Sequence, residues 1–490
     1  MNIFRKPSAA DATGDAIPFY HDGVYHIFSL TPPVGTTVYP DRLRTSWSHT
    51  VSRDLIHWEE LPEALQPGEG NEPDACGVWT GSVIFGEGKY HIFYTGYNYH
   101  LHFSQTICHA TSNDGIVWTK DPENPRILPD ESLFEHVDWR DPYVFYNEDE
   151  GLYWILISGR IKNGPPTKRG SIILYRSKDL EHWEYYGPIY KPYITNCPEC
   201  SEMWKEGETW YLSYSTFSEF VNTNYRVASS PYGPWRTPKK DGIGGRRFYA
   251  AKSLKNDDGR RFYFAWAHDR ADRSDFGEWY WGGAFCIPHE VIVHDGEISV
   301  KIPEEYVRAW NHPIQFQIEP VWGNQETSEP DAVTVKSAET LSYGFFKIPR
   351  ESFFFQCKMK PRDVRGCFGL LIKSDAECRQ YIQLALDPAM QRVSLLNLPM
   401  EVDPFWVASC TNIGKPKDPG PDGVRVCERP LSFHNGDEIN VQVAIDKDMI
   451  EIFVNDEAAF TYRFYARTDY NIGWIVQDGS VDFCNIQVTE

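Results

Sequence analysis

The chain lacks any apolar run near the ~18 residues that a membrane-spanning helix needs. Residues 1–14 lack the apolar segment of a secretory signal, so we expect no membrane partner and a cytoplasmic location. Basic residues are few relative to acidic ones: 48 Lys and Arg stand against 69 Asp and Glu, for a formal charge of −21. Because nucleic acids attract clustered Lys and Arg, we expect no nucleic-acid partner.

The chain also lacks the signatures of several catalytic and metal sites. It has no phosphate-binding glycine loop and no Gly-x-Ser-x-Gly motif. Its eleven cysteines are an odd number in a long chain, which favours reduced thiols over a disulfide framework. Cys197 and Cys200 form a C-x-x-C motif without a second ligand pair at suitable spacing, so we expect no metal and no cofactor.

Aromatic residues are abundant, at 15% of the 490 residues, beside 36 glycines and 34 prolines. This combination favours an all-β protein with many turns. Aromatic rings also stack on the apolar faces of sugars, although packing is the commoner reason for an aromatic side chain. The length predicts two or three domains, because single cores rarely grow past about 300 residues.

Two short motifs recur along residues 1–302. A Ser-x-Asp-Leu-x-His-Trp motif occurs at Ser52–Trp58 and Ser177–Trp183, with looser copies at Ser112–Trp118 and Ser229–Trp235. A turn glycine that precedes a strand occurs five times, at Gly23, Gly88, Gly151, Gly207 and Gly259. Spacings of 52–65 residues leave room for about four strands per repeat. We therefore predict a five-bladed β-propeller over residues 1–302, with the Asp of the first motif holding a turn.

The pattern changes after residue 302. Residues 303–330 are polar and interrupted by prolines, as in a linker. Residues 331–490 contain short alternating strands, among them a hairpin in which Ile439–Ile445 and Ile450–Val454 flank a short turn. Regular short strands with intervening turns predict a β-sandwich domain over residues 331–490.

Acidic residues lie upstream of three of the hairpin glycines. Counting back eight or ten residues from each glycine gives, in blade order, Asp15, Thr80, Asp141, Glu199 and Ala251. The strand that enters each hairpin is the innermost of its blade and lines the central channel. We expect Asp15, Asp141 and Glu199 to converge at one end of the channel, because buried acids are uncommon unless they are paired or functional.

Converging carboxylates suit glycosyl transfer. One carboxylate attacks the anomeric carbon, and another, kept protonated, gives its proton to the leaving oxygen. A retaining enzyme holds the two carboxyl groups roughly 5–5.5 Å apart, whereas an inverting enzyme leaves a wider gap for water. Arg140 adjoins Asp141 and can keep that acid ionised or bind sugar hydroxyls, although a structural ion pair is the alternative.

The motifs together resemble glycoside hydrolase family 32, the invertase, levanase and inulinase group. The segments that carry the resemblance are GDAIPFYHDGVYHIF, WSHTVSRDLIHW, WTGS, WRDPYVF, PECSEMW and WGGAFCIPHEV. The segment DMIEIFVNDEAAFTYRFY resembles that family's C-terminal β-sandwich. The resemblance covers almost the whole chain and is most specific at Arg140–Pro142 and Glu199–Cys200.

The resemblance implies a retaining hydrolase of β-fructofuranosidic bonds in a small carbohydrate substrate. It assigns Asp15 as the nucleophile, Asp141 as the stabiliser of the transition state and Glu199 as the general acid/base. Five further residues are expected to bind the substrate, namely Trp47, Trp79, Thr80, Arg140 and Trp266.

The segment around Asp15 departs from the family. Most members carry Asn-Asp-Pro-Asn-Gly, whereas this chain reads Gly14-Asp15-Ala16-Ile17, without either Asn. A Gln that commonly follows the next strand is replaced by Ser29-Leu30. Two alternatives stay open: an inverting furanosidase or xylosidase of the arabinanase type, and a non-catalytic carbohydrate-binding protein. A homodimer that narrows the pocket is compatible with the sequence.

Overall fold

The protein is described here from a computed structural model, which covers residue 3 and residues 5–398, 422–466 and 470–490. The chain divides into two compact units. One comprises Asn2–His268 and Trp281–Ser299, and the other comprises Asp269–Tyr280 and Val300–Glu490. Among the described residues, no helix has the length and apolarity to cross a bilayer.

The first unit is built from five antiparallel sheets, which we call blades one to five. Blade one contains β1 (Ala16–His21), β2 (Val24–Thr31), β3 (Ser46–Ser52) and β4 (Trp58–Leu65). Blade two contains β5 (Gly77–Gly86), β6 (Lys89–Tyr97), β7 (Gln105–Ser112) and β8 (Thr119–Lys120). Blade three contains β9 (Arg140–Asn147), β10 (Leu152–Arg160), β11 (Gly170–Ser177) and β12 (Glu184–Tyr190).

The last two blades are less regular. Blade four contains β13 (Glu199–Glu206), β14 (Thr209–Thr216) and β15 (Asn222–Ala228), and an isolated bridge between Val227 and Arg236 stands where a fourth strand would pair. Blade five contains β16 (Tyr249–Lys255), β17 (Arg261–Arg270), β18 (Trp279–Phe285), β19 (His289–His294) and β20 (Glu297–Lys301). Short 3-10 turns lie at Asp41–Leu43, Pro166–Lys168 and Ala271–Arg273.

The repeated residues hold the turns of the blades. All five hairpin glycines have a positive φ, between 57° and 79°, which side chains other than glycine rarely adopt. In the Ser-x-Asp-Leu-x-His-Trp motif, the carboxylate of Asp54 accepts hydrogen bonds from the backbone N–H groups of Ile56 and His57, at 2.9 and 2.8 Å. Asp114 and Asp179 accept the equivalent pairs of bonds. The structural role predicted for these acids is confirmed.

The innermost strands form a closed ring. Strand β5 lies against β1 and β9, β13 lies against β9 and β16, and β16 returns to β1. Apolar side chains fill the space between successive blades, as in the cluster of Phe28, Val78 and Ile92. The ring closes where Thr13, just before β1, exchanges backbone hydrogen bonds with Gly283 of β18, at 2.9 and 2.8 Å. The predicted five-bladed propeller is therefore confirmed.

The second unit is a strand-rich domain around one apolar core. It contains one short helix, α1 (Glu304–Ala309), in the described residues. Its strands are β21 (Gln317–Trp322), β22 (Asn324–Glu329), β23 (Ala332–Lys347), β24 (Ser352–Pro361), β25 (Phe368–Ser374), β26 (Tyr381–Asp387), β27 (Arg392–Leu398), β28 (Arg425–Pro430), β29 (Ile439–Asp446), β30 (Met449–Val454), β31 (Ala458–Arg463) and β32 (Tyr470–Thr489).

Two long strands join the halves of this domain. One half of β32 pairs with β25 and its other half pairs with β24, while β23 pairs along both halves. The predicted β-sandwich is confirmed. The long strands β23 and β32 join its two halves, so the domain resembles a barrel. The hairpin predicted from Ile439 to Val454 is present as β29 and β30.

The segment 303–330 differs from the predicted linker. Strands β21 and β22 both pair with β23 and so belong to the sheet. The described side chains of these two strands are largely exposed, which is why their composition resembles that of a linker. Ten of the eleven cysteines are free thiols, and the remaining one, Cys410, lies outside the described residues.

Candidate active site

A β-bulge recurs at the start of the innermost strands. In β9, β13 and β16 one extra residue stands between consecutive ladder pairs: Arg140 pairs with Ser158 and Tyr143 with Leu156, so two residues of β9 lie opposite one of β10. The same spacing recurs after Glu199 and Tyr249. The residue that follows has a positive φ in all three strands, at 58° for Asp141, 51° for Cys200 and 52° for Ala250. Such a bulge redirects side chains toward the channel end.

The bulges set the true register of the repeat. Glu199 is equivalent to Arg140 and Tyr249, whereas Asp141 is equivalent to Cys200 and Ala250. The prediction that all three acids share one repeat position is therefore wrong by one residue for Glu199. Counting from the hairpin glycine loses the register because the hairpins differ in length and the bulge is invisible in the sequence.

The acids nevertheless meet in one cavity. It has a volume of about 290 Å³ at the end of the channel. Its lining includes the predicted residues Asp15, Trp79, Thr80, Arg140, Asp141 and Glu199. Residues that the sequence reasoning did not single out complete it, namely Leu30, Leu43, Thr45, Gln105, Asp138, Tyr249 and Trp281. The predicted convergence is thus observed.

Asp15 lies directly before β1 and is held by three donors. The Thr80 hydroxyl donates to Oδ2, Trp266 Nε1 donates to Oδ1 at 2.8 Å, and the Cys200 thiol lies 3.6 Å from Oδ2. Burial raises the pKa of Asp15, and these donors oppose the rise while the nearby Glu199 charge adds to it. The donors leave the carboxylate fixed in orientation, as a nucleophile requires.

Glu199 is held by two donors, one on each oxygen. Arg140 Nη2 donates to Oε1 at 2.9 Å, and the Tyr249 hydroxyl donates to Oε2. Burial raises the pKa of Glu199; the Arg140 charge lowers it, and the Asp141 charge raises it again. A carboxyl with a raised pKa suits a proton donor.

Asp141 is the third acid that lines the cavity. Its backbone N–H donates to the Thr95 hydroxyl at 2.8 Å, and its Oδ2 accepts from the Cys200 backbone N–H at 2.9 Å. Burial raises the pKa of Asp141, while the Arg140 charge opposes that rise. The Asp15 charge raises the pKa of Asp141, and the Asp141 charge raises that of Glu199, so the three acids cannot all ionise easily.

Arg140 is the central cation of the cavity. Besides Glu199, its guanidinium donates to Gln105 Oε1 at 3.1 Å and to Asp138. Four carboxylates and one guanidinium therefore line the cavity. The arrangement offers a fixed nucleophile, a proton donor and hydrogen-bonding groups for a polyhydroxylated substrate.

Two of the tryptophans that were predicted to bind the substrate are buried behind the residues that line the cavity. Trp266 is buried and acts on the site through its hydrogen bond to Asp15. Trp47 is also buried, in the core between blades one and two, and its Nε1 donates to the carbonyl of Trp79 at 3.1 Å. The prediction that these two rings contact the sugar directly is not supported, because strand alternation turns both side chains into the packed interior. Trp79 is half-buried and lines the cavity, and its ring stacks on Tyr97 at 3.9 Å.

Two positions at which the chain departs from the family near Asp15 lie beside apolar side chains or line the cavity. Gly14 lies against the indole of Trp281, where an added Cβ would stand 2.5 Å from a ring carbon. No side chain larger than glycine fits there without movement of Trp281. Leu30, at the place where the family commonly has Gln, lines the cavity. This side of the cavity is therefore apolar.

Comparisons with known proteins give a family match along most of the chain. The model described as "Glycosyl hydrolases family 32 N-terminal domain" matches residues 15–302, and that described as "Glycosyl hydrolases family 32 C terminal" matches residues 325–490. The chain is similar to a cell-wall beta-fructofuranosidase of Pisum sativum, at 24% identity over 74% of this chain and 72% of the relative.

Two further comparisons agree. Fructan 1-exohydrolase w2 of Triticum aestivum is 27% identical over 60% of this chain, and the matched region spans about half, 52%, of that relative. The crystal structure of fructan 1-exohydrolase IIa from Cichorium intybus superposes with a TM-score of 0.72 at 17% identity, and covers 100% of this chain and 97% of that one. At this identity the structural likeness concerns the fold.

Proposed function

The chain belongs to glycosyl hydrolase family 32, and from that premise we propose that it hydrolyses β-fructofuranosidic bonds with retention of configuration. The observation that carries the proposal is the meeting of Asp15, Asp141 and Glu199 in one cavity around Arg140. The names of two relatives, a beta-fructofuranosidase and a fructan 1-exohydrolase, favour β-fructofuranosides and fructans as substrates.

The reaction proceeds in two displacements. In the first, an Asp15 oxygen bonds to the anomeric carbon while the glycosidic C–O bond breaks, and Glu199 transfers its proton to the leaving oxygen. In the second, Glu199, now ionised, takes a proton from water, whose oxygen bonds to the same carbon as the bond to Asp15 breaks. Fructose leaves with its original configuration, and both acids return to their starting states.

The neighbouring groups serve these steps. Thr80 and Trp266 donate to Asp15, which favours its ionised form and fixes its orientation. Asp141 is placed to accept hydrogen bonds from sugar hydroxyls as positive charge develops on the ring. Arg140 and Tyr249 hold the two oxygens of Glu199. Trp79 provides an aromatic face for the sugar.

A substrate panel with analysis of the first-formed anomer tests the proposal. We expect release of fructose from β-fructosides, with net retention by NMR, and no release from arabinosides or xylosides. Asp15→Asn should abolish turnover without changing the melting temperature by more than a few degrees. Net inversion would favour the arabinanase-type alternative, and sugar binding without turnover on any substrate would leave a carbohydrate-binding protein. Near wild-type activity in Asp15→Asn would remove that residue from its role.

The cytoplasmic location and the homodimer stay predictions. Cell fractionation tests the first and analytical ultracentrifugation tests the second.

A further inference from the structure

A row of aromatic rings leads from the catalytic cavity to the protein surface. Trp79 lines the cavity and is half-buried, and its ring stacks on that of Tyr97 with the two centroids 3.9 Å apart. The ring of Tyr97 in turn lies 5.9 Å from that of Tyr99, which is 48% exposed. The imidazole of His100 packs beside Tyr99 at 4.2 Å. We call Trp79, Tyr97 and Tyr99 the aromatic row.

The loop that carries Tyr99, between β6 and β7, is held in place by a buried asparagine. The side-chain amide of Asn98 donates to the backbone carbonyls of Gly70 and Glu72, at 3.2 and 2.8 Å. The side-chain oxygen of Asn98 accepts a hydrogen bond from the backbone N–H of His100 at 3.1 Å. The exposed ring of Tyr99 is therefore carried by a fixed segment of backbone.

The aromatic row lies on the side of the cavity where the leaving group departs. In the proposed mechanism the leaving oxygen accepts the proton of Glu199, so it lies within hydrogen-bond distance of that acid. Arg140 links the two sides of the cavity, because it donates to Glu199 at 2.9 Å and to Gln105 at 3.1 Å. Gln105 lines the cavity and is paired with Tyr97 across β6 and β7. A leaving group that passes Arg140 therefore has Gln105 beside it and the aromatic row beyond.

The size and charge of the cavity limit the leaving group. The volume of about 290 Å³ is just below the usual range of ligand pockets, about 300–1,000 Å³, so the units of a long substrate extend past the cavity. Among the described residues that line the cavity, Arg140 is the only cation. It already donates to three side chains, those of Glu199, Gln105 and Asp138. Because four carboxylates also line the cavity, a phosphorylated leaving group is repelled and a neutral one fits.

We propose that the aromatic row is a subsite for an oligosaccharide leaving group, in which the second sugar unit beyond the fructosyl group stacks on Tyr99. This inference rests on the proposed function and names its substrate class, β-fructosyl oligosaccharides of three or more units. Aromatic rings bind the apolar faces of sugars. The exposed imidazoles of His100 and His102 lie on the same loop and offer ring nitrogens to the sugar hydroxyls. Sucrose has one unit beyond its fructosyl group and so ends before Tyr99.

Tyr99→Ala tests the subsite through its effect on the preference for longer substrates. We measure kcat/KM for sucrose, for 1-kestose and for a longer fructo-oligosaccharide, and we expect the wild type to prefer the two longer substrates. In Tyr99→Ala, the ratio of kcat/KM for 1-kestose to that for sucrose should fall about tenfold, mainly through a higher KM for 1-kestose. A variant that folds only in part lowers both values equally, so the ratio reports the subsite alone.

Tyr146→Ala is the matched control, because Tyr146 is also 48% exposed but lies at the hairpin end of β9, opposite the end that carries Arg140. Its ratio should equal that of the wild type. Tyr99→Phe keeps the ring and should also retain the wild-type ratio. A ratio that Tyr99→Ala leaves unchanged, or that Tyr99→Phe lowers as far as Tyr99→Ala does, would overturn the subsite and leave the proposed hydrolysis intact.

A chain that hydrolyses no fructoside would instead refute the proposed activity. Binding of 1-kestose then decides whether the subsite exists, and it is measured by calorimetry with Asp15→Asn and with the double variant Asp15→Asn/Tyr99→Ala. Binding that is about tenfold weaker in the double variant would support the subsite. Equal binding by the two variants would overturn it.

Discussion

At the scale of single residues, the two donors that hold Glu199 influence its protonation state. One oxygen accepts from Arg140 and the other from Tyr249, and both donors favour the ionised carboxylate. Burial works against them and raises the pKa of the acid. In the proposed mechanism Glu199 is protonated when it acts on the leaving group and ionised when it activates water, and opposing influences of this kind suit a group that changes state twice per turnover.

Tyr249→Phe should move the basic limb of the pH profile. The hydrogen bond from Tyr249 lowers the pKa of Glu199, so its removal raises that pKa, and the acid stays protonated to higher pH. We expect the basic limb of kcat/KM to shift upward, with kcat falling about tenfold or more because the acid loses its orientation.

Tyr263→Phe is the control for Tyr249→Phe, since Tyr263 is a buried tyrosine of the same blade that contacts Trp204 and Ser213 instead. Its pH profile should match that of the wild type. An unmoved basic limb in Tyr249→Phe would show that the tyrosine only packs.

At the scale of elements, the bulges of β9, β13 and β16 redirect side chains of a regular propeller toward the cavity. Asp141, Cys200 and Ala250 hold a positive φ, although none of them is glycine. An L-residue in this region costs about 1–2 kcal/mol. Asp141 and Cys200 offset that cost with the hydrogen bond between them, whereas Ala250 has no side-chain group to do so. The strain at Ala250 serves to place Tyr249.

Ala250→Gly and Ala250→Val should change stability in opposite directions. Glycine adopts a φ of 52° without steric cost, so we expect Ala250→Gly to raise the free energy of unfolding by up to about 1 kcal/mol. The branched side chain of Val should lower it by more than about 1 kcal/mol. Urea denaturation measures both, and a stabilised Val variant would contradict the assignment of strain.

The strands and turns were predictable where characteristic residue types mark them, whereas the bulges were not. The hairpin turns require glycine and the motif turns require an aspartate acceptor. These residues predict the five blades, and the blades predict the convergence of Asp15, Asp141 and Glu199. A bulge at Cys200 or Ala250 has no compositional signature, which hid both the register of Glu199 and the role of Tyr249. Trp47 was misplaced because neighbours on a strand face opposite ways, and sequence proximity to a site does not say which face is used.

At the scale of the whole molecule, stability depends on histidines that stay neutral when folded. Burial lowers the pKa of His26 and His91 to about 4, and that of His49 and His289 to about 3. The ordinary value in an unfolded chain is about 6.5. Between these values the unfolded chain binds protons that the folded chain does not. These groups therefore remove stability as the pH falls from about 6.5 toward 4.

His91→Gln should reduce this dependence on pH. Each such histidine lowers the free energy of unfolding by about 1.4 kcal/mol per pH unit across that window. Removing one should make the curve of unfolding free energy between pH 6.5 and 4.5 shallower by about that slope, whatever its effect on stability at pH 7. Urea denaturation at several pH values measures the slope. An unchanged slope would show that His91 also ionises in the folded protein.

The pairing of Thr13 with Gly283, here called the seam, closes the propeller and has a consequence for synthesis of the protein. Asp15 lies two residues from Thr13, which pairs with Gly283, and one of its own partners is Trp266. The ribosome therefore releases Asp15 first, and it releases Trp266 and Gly283 some 250–270 residues later. A nascent chain that carries four blades holds the acids Asp15, Asp141 and Glu199 but no seam. Activity should appear during translation only after the fifth blade has emerged from the exit tunnel.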